Sequence, residues 1–102
     1  MSNFTISFTA DVWEHDGEGS WHFVNLPEAH ADDIKERFGR QAAGFGSIRV
    51  QVTMGTSVWK TSLFPDTKRG TYVLPIKKAV RTAEGLRDGS TAKVKLKVLI
   101  DT

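Results

Sequence analysis

The chain has no cysteine among its 102 residues. This absence excludes disulfides, thiolate nucleophiles and cysteine-ligated metals, although it fits either redox compartment. No apolar run approaches the roughly 20 residues that a membrane-spanning helix needs. The start Met1-Ser2-Asn3 lacks the basic and apolar regions of a signal peptide. We therefore expect a cytoplasmic protein without a membrane partner.

Motifs for metal binding and catalysis are also scarce. The three histidines, His15, His22 and His30, lie too far apart for the close pair that commonly binds one metal. Glu14, His15 and Asp16 fall in an expected turn, where hydrated charge is normal. Ser62 lacks a nucleophile-elbow pattern. We predict no metal, no cofactor and no catalytic residue, and we favour a non-catalytic protein.

The composition is that of an ordinary globular domain, with 39% apolar and 25% charged residues. A chain of this length has no room for a second core. We predict one domain over residues 1–102.

One short sequence motif occurs twice in the chain. Residues 21–27 read Trp-His-Phe-Val-Asn-Leu-Pro, residues 71–75 read Thr-Tyr-Val-Leu-Pro, and a helical pattern follows each. This repetition predicts two ββαβ units, at about residues 3–55 and 56–102.

The first unit begins with the period-2 apolar alternation of a strand over residues 4–12. The turn at 14–20 contains two glycines and predicts a hairpin with a second strand at about 21–26. A helix is expected at about 28–39. A connection at 40–46 then leads to a third strand at 48–54.

The second unit begins with a two-residue turn, Gly55-Thr56, in which glycine supplies a positive φ. A fourth strand is predicted at about 57–64, ended by Pro65, and a short fifth strand at 71–74. Pro75 is expected to open a helix that buries Ile76, Ala79, Val80 and Ala83 and that Gly85 caps. Residues 93–98 alternate apolar and cationic side chains and form the last strand.

Six strands in two small units cannot bury their apolar faces separately. We therefore predict a mainly β protein with two helices (α+β), folded as a small split β-barrel from two pseudo-repeated ββαβ units.

The chain also has a family resemblance that covers nearly its whole length and is strongest over about residues 47–98. It resembles a bacterial family of domains of unknown function whose members form double-split β-barrels. The resemblance rests on Thr61, Ser62, Leu63, Phe64, Pro65, Gly70, Tyr72, residues 74–81, Gly85, Asp88 and Gly89. Some members are fused to a segment similar to bacteriocin-protection proteins. The resemblance implies a fold and supplies no catalytic residues.

Charge is distributed unevenly. Residues 1–50 carry 4 Lys/Arg and 8 Asp/Glu, whereas residues 51–102 carry 10 and 4. A polarised surface attracts anions or joins two copies of one chain. The predicted anion or nucleic-acid face consists of Lys60, Lys68, Arg69, Lys77, Lys78 and Arg81. Ordinary solvation of a helix face is the alternative.

Three functional classes stay open. A binding or interaction module ranks first, with nucleic acid, a protein partner or a second copy as ligand. A small-molecule binder or small enzyme ranks second, using a pocket between the halves. That candidate pocket contains Arg49, Trp59, Ser62 and Tyr72. A purely structural domain ranks third.

Overall fold

The computed structural model describes residues 4–15 and 20–100, with only the backbone of residue 45. Residues 16–19, at the centre of the predicted turn, and both chain ends lie outside the described residues. The helices are α1 (Glu28–Phe38) and α2 (Lys78–Glu84). The strands are β1 (Thr5–Asp11), β2 (Trp13–Glu14), β3 (His22–Asn25), β4 (Ile48–Met54), β5 (Ser57–Asp66), β6 (Thr71–Pro75) and β7 (Thr91–Val98).

The strands form one antiparallel sheet in the order β1-β7-β4-β5-β6-β3-β2. The sheet curls strongly into a half-barrel, and the two helices complete the fold. This architecture confirms the predicted class, a mainly β protein with two helices, and is consistent with a split barrel.

Strand β5 joins the two parts of the sheet. Leu63 pairs with Ile48 of β4, while the next residue, Phe64, pairs with Val73 of β6. The prediction that Pro65 ends this strand is wrong, because Pro65 lies opposite Tyr72 within it. Proline is tolerated in a strand where its missing N–H is not needed for the ladder.

The predicted hairpin between the first two long strands is also wrong. Strand β1 pairs with β7, whereas β3 pairs with the short strand β2 and with β6. The cause is a bend at Val12, which is buried and whose N–H donates to the carbonyl oxygen of Ser90 at 2.7 Å. Strand β1 therefore ends at Asp11, and the residues after Val12 form the separate strand β2, which pairs with β3. The described residues thus form seven strands, one more than predicted.

Helix α2 starts later than predicted. Pro75 pairs with Phe23, and the N–H of Ile76 donates to the carbonyl oxygen of His22 at 2.9 Å, so strand pairing continues past the proline. Only Val80 of the helix is buried, while the two alanines expected beside it are exposed. Gly85 caps the helix with φ +66, as predicted.

The core lies between the curled sheet and α1. Helix α1 buries Ala31, Ile34 and Phe38, and the ring of Phe38 meets that of Phe4 edge to face at 5.4 Å. Strands β4 and β7 bury alternate residues throughout their length. The connection at 40–46 contains parts of two short 3₁₀ helices, Gly39–Gln41 and Gly44–Gly46. No helix in the described ranges is long and apolar enough to cross a membrane.

The pairing of β3 with β6 and of β4 with β7 can be compared with the predicted sequence repeat. Asn25 pairs with Val73, and Val50 pairs with Val98. Each pair is separated by 48 positions, the spacing between the two Leu-Pro steps of the sequence. In both pairs the partners are residues that the predicted repeat would make equivalent. The internal repeat itself stays a prediction.

Candidate anion-binding cleft

A cleft of about 390 Å³ opens between the start of β3, the middle of β5 and the segment that joins β6 to α2. We call it the cationic cleft. It is lined by Ser20, Trp21, His22, Trp59, Lys60, Thr61, Pro75, Ile76, Lys77, Lys78 and Arg81. Its volume lies within the range of roughly 300–1,000 Å³ that is usual for ligand sites.

Four cations reach the cleft from two elements. Lys60 lies on β5. Lys78 and Arg81 lie on α2, and Lys77 is the residue just before this helix. Ile76 is held against β3, so Lys77 and Lys78 begin the helix at the cleft rim. Arg81 follows one turn later, and its Nε donates to the carbonyl oxygen of Ile76 at 3.2 Å. This hydrogen bond ties the guanidinium to the cleft wall.

No carboxylate is among the described residues that line the cleft. Lys60, Lys77 and Lys78 are exposed, Arg81 is half-buried, and none of the four makes an ion pair within the part of the chain that the structure describes. Four uncompensated positive charges around a concave surface raise the local concentration of anions. The cleft is therefore suited to phosphate groups or carboxylates.

Two indoles accompany these cations. Trp21 is 56% exposed and stacks on Phe23, with 6.3 Å between ring centroids and 11° between ring planes. Trp59 is half-buried and lines the cleft beside Lys60. An exposed ring that a second ring holds in place offers a stacking surface for a flat ligand.

His22 is a polar residue at the back of the cleft. It is only 8% exposed, and its Nδ1 donates to the carbonyl oxygen of Ser20 at 2.8 Å. Its Nε2 lies 4.0 Å from a carboxylate oxygen of Glu14. The backbone therefore sets the orientation of the ring on one side, and the ring faces Glu14 on the other.

Lys68 and Arg69, the other two residues of the predicted face, lie in the β5–β6 turn and not in the cleft. The Asp66 carboxylate accepts from both their backbone N–H groups, and from the Arg69 guanidinium at 2.7 Å. The hydrogen bond from the Arg69 side chain is the main reason that the pKa of Asp66 lies below its usual value. Arg69 also lies 4.5 Å above the ring of Trp13, so it is engaged within the fold.

The residues of the predicted pocket do not share one cavity. Trp59 lines the cationic cleft, whereas Tyr72 lines a separate cavity of about 250 Å³ with Asp66. Burial raises the pKa of the Tyr72 phenol. Arg49 and Ser62 lie opposite each other on β4 and β5.

The other two histidines contact aromatic rings. His15 lies 6.4 Å from Trp13, and His30 lies 6.0 Å from Phe8, measured between ring centroids. In residues 4–15 and 20–100 no three His, Asp or Glu side chains are grouped as metal ligands.

Sequence reasoning missed two features of this surface. Trp21 belongs to none of the candidate sites predicted from the sequence, although its position at the start of a predicted strand, next to a turn, is a signal for exposure. The lysines of β7 were interpreted only as the polar side of a strand. Their place beside Lys60 depends on the strand order, which has no local signal.

A family model matches residues 8–96 of the chain, and its description is "Domain of unknown function (DUF1905)". The chain belongs to the DUF1905 family. This membership confirms the resemblance to a family of domains of unknown function. The match does not bear on a bacterial source or on the bacteriocin-protection-like fusion, which stay predictions. No curated protein matches the chain.

Proposed function

We propose that this DUF1905 domain is a non-catalytic binding module that holds an anionic ligand in the cationic cleft, and that the ligand is single-stranded nucleic acid. One observation carries the proposal. Four cations without a described ion pair and two indoles, from segments far apart in sequence, meet around one cleft, and no described residue of its lining is a carboxylate.

The cations and the indoles supply two different interactions with a nucleic-acid strand, one with the phosphates and one with the bases. Lysine and arginine neutralise phosphates and release counterions, which makes the affinity dependent on salt. Base stacking on an aromatic ring contributes about 1–3 kcal/mol per base and tolerates any sequence. Trp21 has the exposure that stacking requires, and the cations lie along the same cleft.

The test is an amide-resolved NMR titration with a short single-stranded DNA of mixed sequence, at low and at near-physiological salt. We expect localised shifts at Trp21, Trp59 and the start of α2, and an affinity that falls with salt. Each lost phosphate contact should lower the slope of log K against log salt by about 0.7.

Charge reversal gives the matched comparison. Lys77→Glu and Lys78→Glu should each weaken binding at least about fivefold, since each removes one contact and adds a repulsion. Lys68→Glu makes the same charge change in the β5–β6 turn, outside the cleft, and should have a much smaller effect. Equal effects at all three positions, or binding independent of salt, would contradict the proposal.

A protein partner is the second candidate, supported by an apolar groove of about 360 Å³ beside the cleft. Trp21 and Phe64, two of the exposed large apolar side chains, line this groove together with Phe23 and Pro75. A second copy of the chain would bury them. Sedimentation of the wild type and of Phe64→Ser across a concentration series tests this: a dimer that the variant loses supports the candidate, and a monomer throughout removes it.

We also propose that the domain acts in the cytoplasm, a location that suits a nucleic-acid ligand. Expression with a fluorescent tag at either end and cell fractionation would test it, and recovery in a secreted fraction would contradict it.

A further inference from the structure

The outward face of β7 and its neighbours is strongly cationic. Lys93, Lys95 and Lys97 are exposed on β7, Arg49 is exposed on β4, and Lys60 is exposed on β5. We call these five residues the basic sheet face. Strand alternation turns the residues of β7 and β4 away from the core, because their neighbours in sequence are buried. Lys60 is on the same face because it pairs with Gln51 of β4.

The residues opposite these cations are mostly neutral and polar. Lys97 lies opposite Thr5 and Gln51, and Lys95 lies opposite Ser7 and Thr53. Gln51 also pairs with Lys60, so two lysines flank one glutamine across three strands. Among the described residues none of the five cations has an ion pair. Asp11, at the far end of β1, accepts a hydrogen bond from Thr91.

Protection of a sheet edge does not account for this arrangement. Lysine is common on edge strands because it prevents edge-to-edge association. Strand β7, however, lies between β1 and β4 and has a partner on each side. Among the described residues, Asp11 shares this face at the far end of β1, opposite Thr91. Like charges gathered around Lys60, Lys95 and Lys97 repel one another, so that part of the face is suited to an anionic partner.

The face also contains a depression of about 490 Å³. Ser7, Thr9 and Thr53 line it together with Lys93 and Lys95. Hydroxyl donors beside ammonium groups are the side chains that proteins use to hold phosphate oxygens.

We propose that the basic sheet face binds the sugar-phosphate backbone of a nucleic-acid strand whose adjoining bases occupy the cationic cleft. Lys60 is the junction, because it lines the cleft and also stands in the row with Gln51 and Lys97. The inference rests on the proposed function for the choice of ligand, and it adds a second contact surface and a binding length.

Strand geometry sets that length. Two strand spacings of about 4.8 Å separate Lys60 from Lys97, and four residues of about 3.4 Å separate Lys97 from Lys93. The path is about 23 Å, or roughly seven nucleotides at about 3.4 Å per nucleotide of a stacked strand. A strand of about four nucleotides is therefore too short to follow this path, whereas one of about twelve is long enough to contact the cleft and the sheet face together.

The experiment compares oligothymidylates of about four and about twelve nucleotides, which lie within the site sizes of ~4–16 nucleotides known for single-strand binders. The double variant Lys95→Glu/Lys97→Glu should bind the short strand within about twofold of the wild type. It should bind the long strand at least about tenfold more weakly, with the salt slope reduced by about 1.4. Lys35→Glu, at an exposed position on α1, is the charge control and should change the affinity for neither the short nor the long strand. Lys95→Gln/Lys97→Gln repeats the test if the glutamates lower stability, with the same direction expected.

Each result decides the inference. An unchanged long-strand affinity in the double variant overturns it, even if the short strand binds the cleft. Failure of the short strand to bind overturns the proposed function instead, and a remaining loss of long-strand binding in the double variant would then still support the sheet face. A double variant that loses binding only to phosphatidylserine vesicles would assign the face to an anionic membrane and also overturn the inference.

Discussion

Gly55, in the turn between β4 and β5, lies against the C-terminal end of α2. It follows β4 with φ +57, and a Cβ at this position would overlap the carboxylate of Glu84 at the end of α2. The same carboxylate accepts hydrogen bonds from the hydroxyls of Thr56 at 3.3 Å and Ser57 at 2.7 Å. The β4–β5 turn is thereby tied to the last turn of α2.

We predict that Gly55→Ala lowers the free energy of unfolding by about 2 kcal/mol. About half of this comes from the positive φ and the rest from displacing Glu84 and its hydrogen bonds. Gly70→Ala is the control, because Gly70 has φ +67 and nothing within 4 Å of the added Cβ. It should cost about 1 kcal/mol. Urea unfolding measures both, and in a Glu84→Ala background the difference should disappear. If Gly55→Ala and Gly70→Ala lowered the free energy of unfolding equally in the wild-type background, this result would contradict the role of Glu84.

Asp66 gives a prediction about acid stability. Its pKa is lowered in the folded state, chiefly by the Arg69 side chain, so the folded state favours the ionised carboxylate. The resulting stabilisation is complete above the unfolded pKa of 3.8 and is lost as the pH falls through the lower folded value. Asp66→Asn should therefore reduce the free energy of unfolding by about 0.5–1 kcal/mol at neutral pH and have little effect in strong acid.

Urea unfolding of both proteins over a series of pH values measures this difference. Asp32→Asn, which removes a carboxylate from an exposed position on α1, controls for the change in net charge. A difference between wild type and Asp66→Asn that stays constant down to strong acid would contradict the assignment.

At the scale of elements, α2 is a short helix that positions three of the four cleft cations. It has seven residues, one buried side chain, and Lys77 at its N-cap without a side-chain hydrogen bond to the helix. Lysine is a poor N-cap, because it has no acceptor for the free N–H groups of the first turn. The start of α2 is therefore less stable than it would be with a capping side chain at its N-cap. Lys77, which occupies that position, also lines the cationic cleft.

We predict that Lys77→Asp and Lys77→Ser each raise the free energy of unfolding by about 0.5–1 kcal/mol, since both side chains accept a capping hydrogen bond. Both should also weaken nucleic-acid binding, Asp more than Ser. Lys78→Ser removes the same charge at the next residue, where no cap forms, and should weaken binding without the gain in stability. Thermal unfolding and the DNA titration measure the two effects, and a loss of stability in Lys77→Ser would contradict the capping argument.

At the scale of the whole molecule, the halves are interleaved in one sheet. Strands β3 and β6 pair with each other, as do β4 and β7, and in both cases residues 48 positions apart are partners. The first and last described strands are also adjacent, since the N–H of Val98 donates to the carbonyl oxygen of Phe4 at 3.0 Å. The two ends of the described chain therefore lie next to each other, on adjacent strands.

This arrangement predicts that the order of the halves can be exchanged. A circular permutant that begins at Thr56, joins residue 100 to residue 4 by a short glycine-rich linker and ends at Gly55 should fold cooperatively with the same pattern of amide shifts. Its free energy of unfolding should fall by a few kcal/mol at most, because only one turn is opened and one short loop is closed. A permutant with its new ends inside β4 is the control and should not fold. Failure of the first permutant would contradict the description of the halves as units.

Much of the fold was predictable from local pattern. Alternation indicated β1, β4 and β7, the Gly55-Thr56 turn indicated the start of β5, and Gly85 marked the end of a helix; both glycines have a positive φ. The bend at Val12 and the passage of β5 through Pro65 were not predictable, because each depends on a distant partner, Ser90 in one case and Tyr72 in the other. For the site, the sequence indicated the cations Lys60, Lys77, Lys78 and Arg81, but not that Lys68 and Arg69 lie elsewhere.

By itself, the sequence determined the fold class, the positions of the long strands and the basic character of the second half, since these depend on side-chain type and spacing along the chain. Only the tertiary structure decided which strands pair, and with them that Trp21, Lys60 and the start of α2 share one cleft. The physical reason is that a cleft is a property of strand order. Strand order follows from burying the faces of both halves in one core, and the contacts that achieve this join residues tens of positions apart.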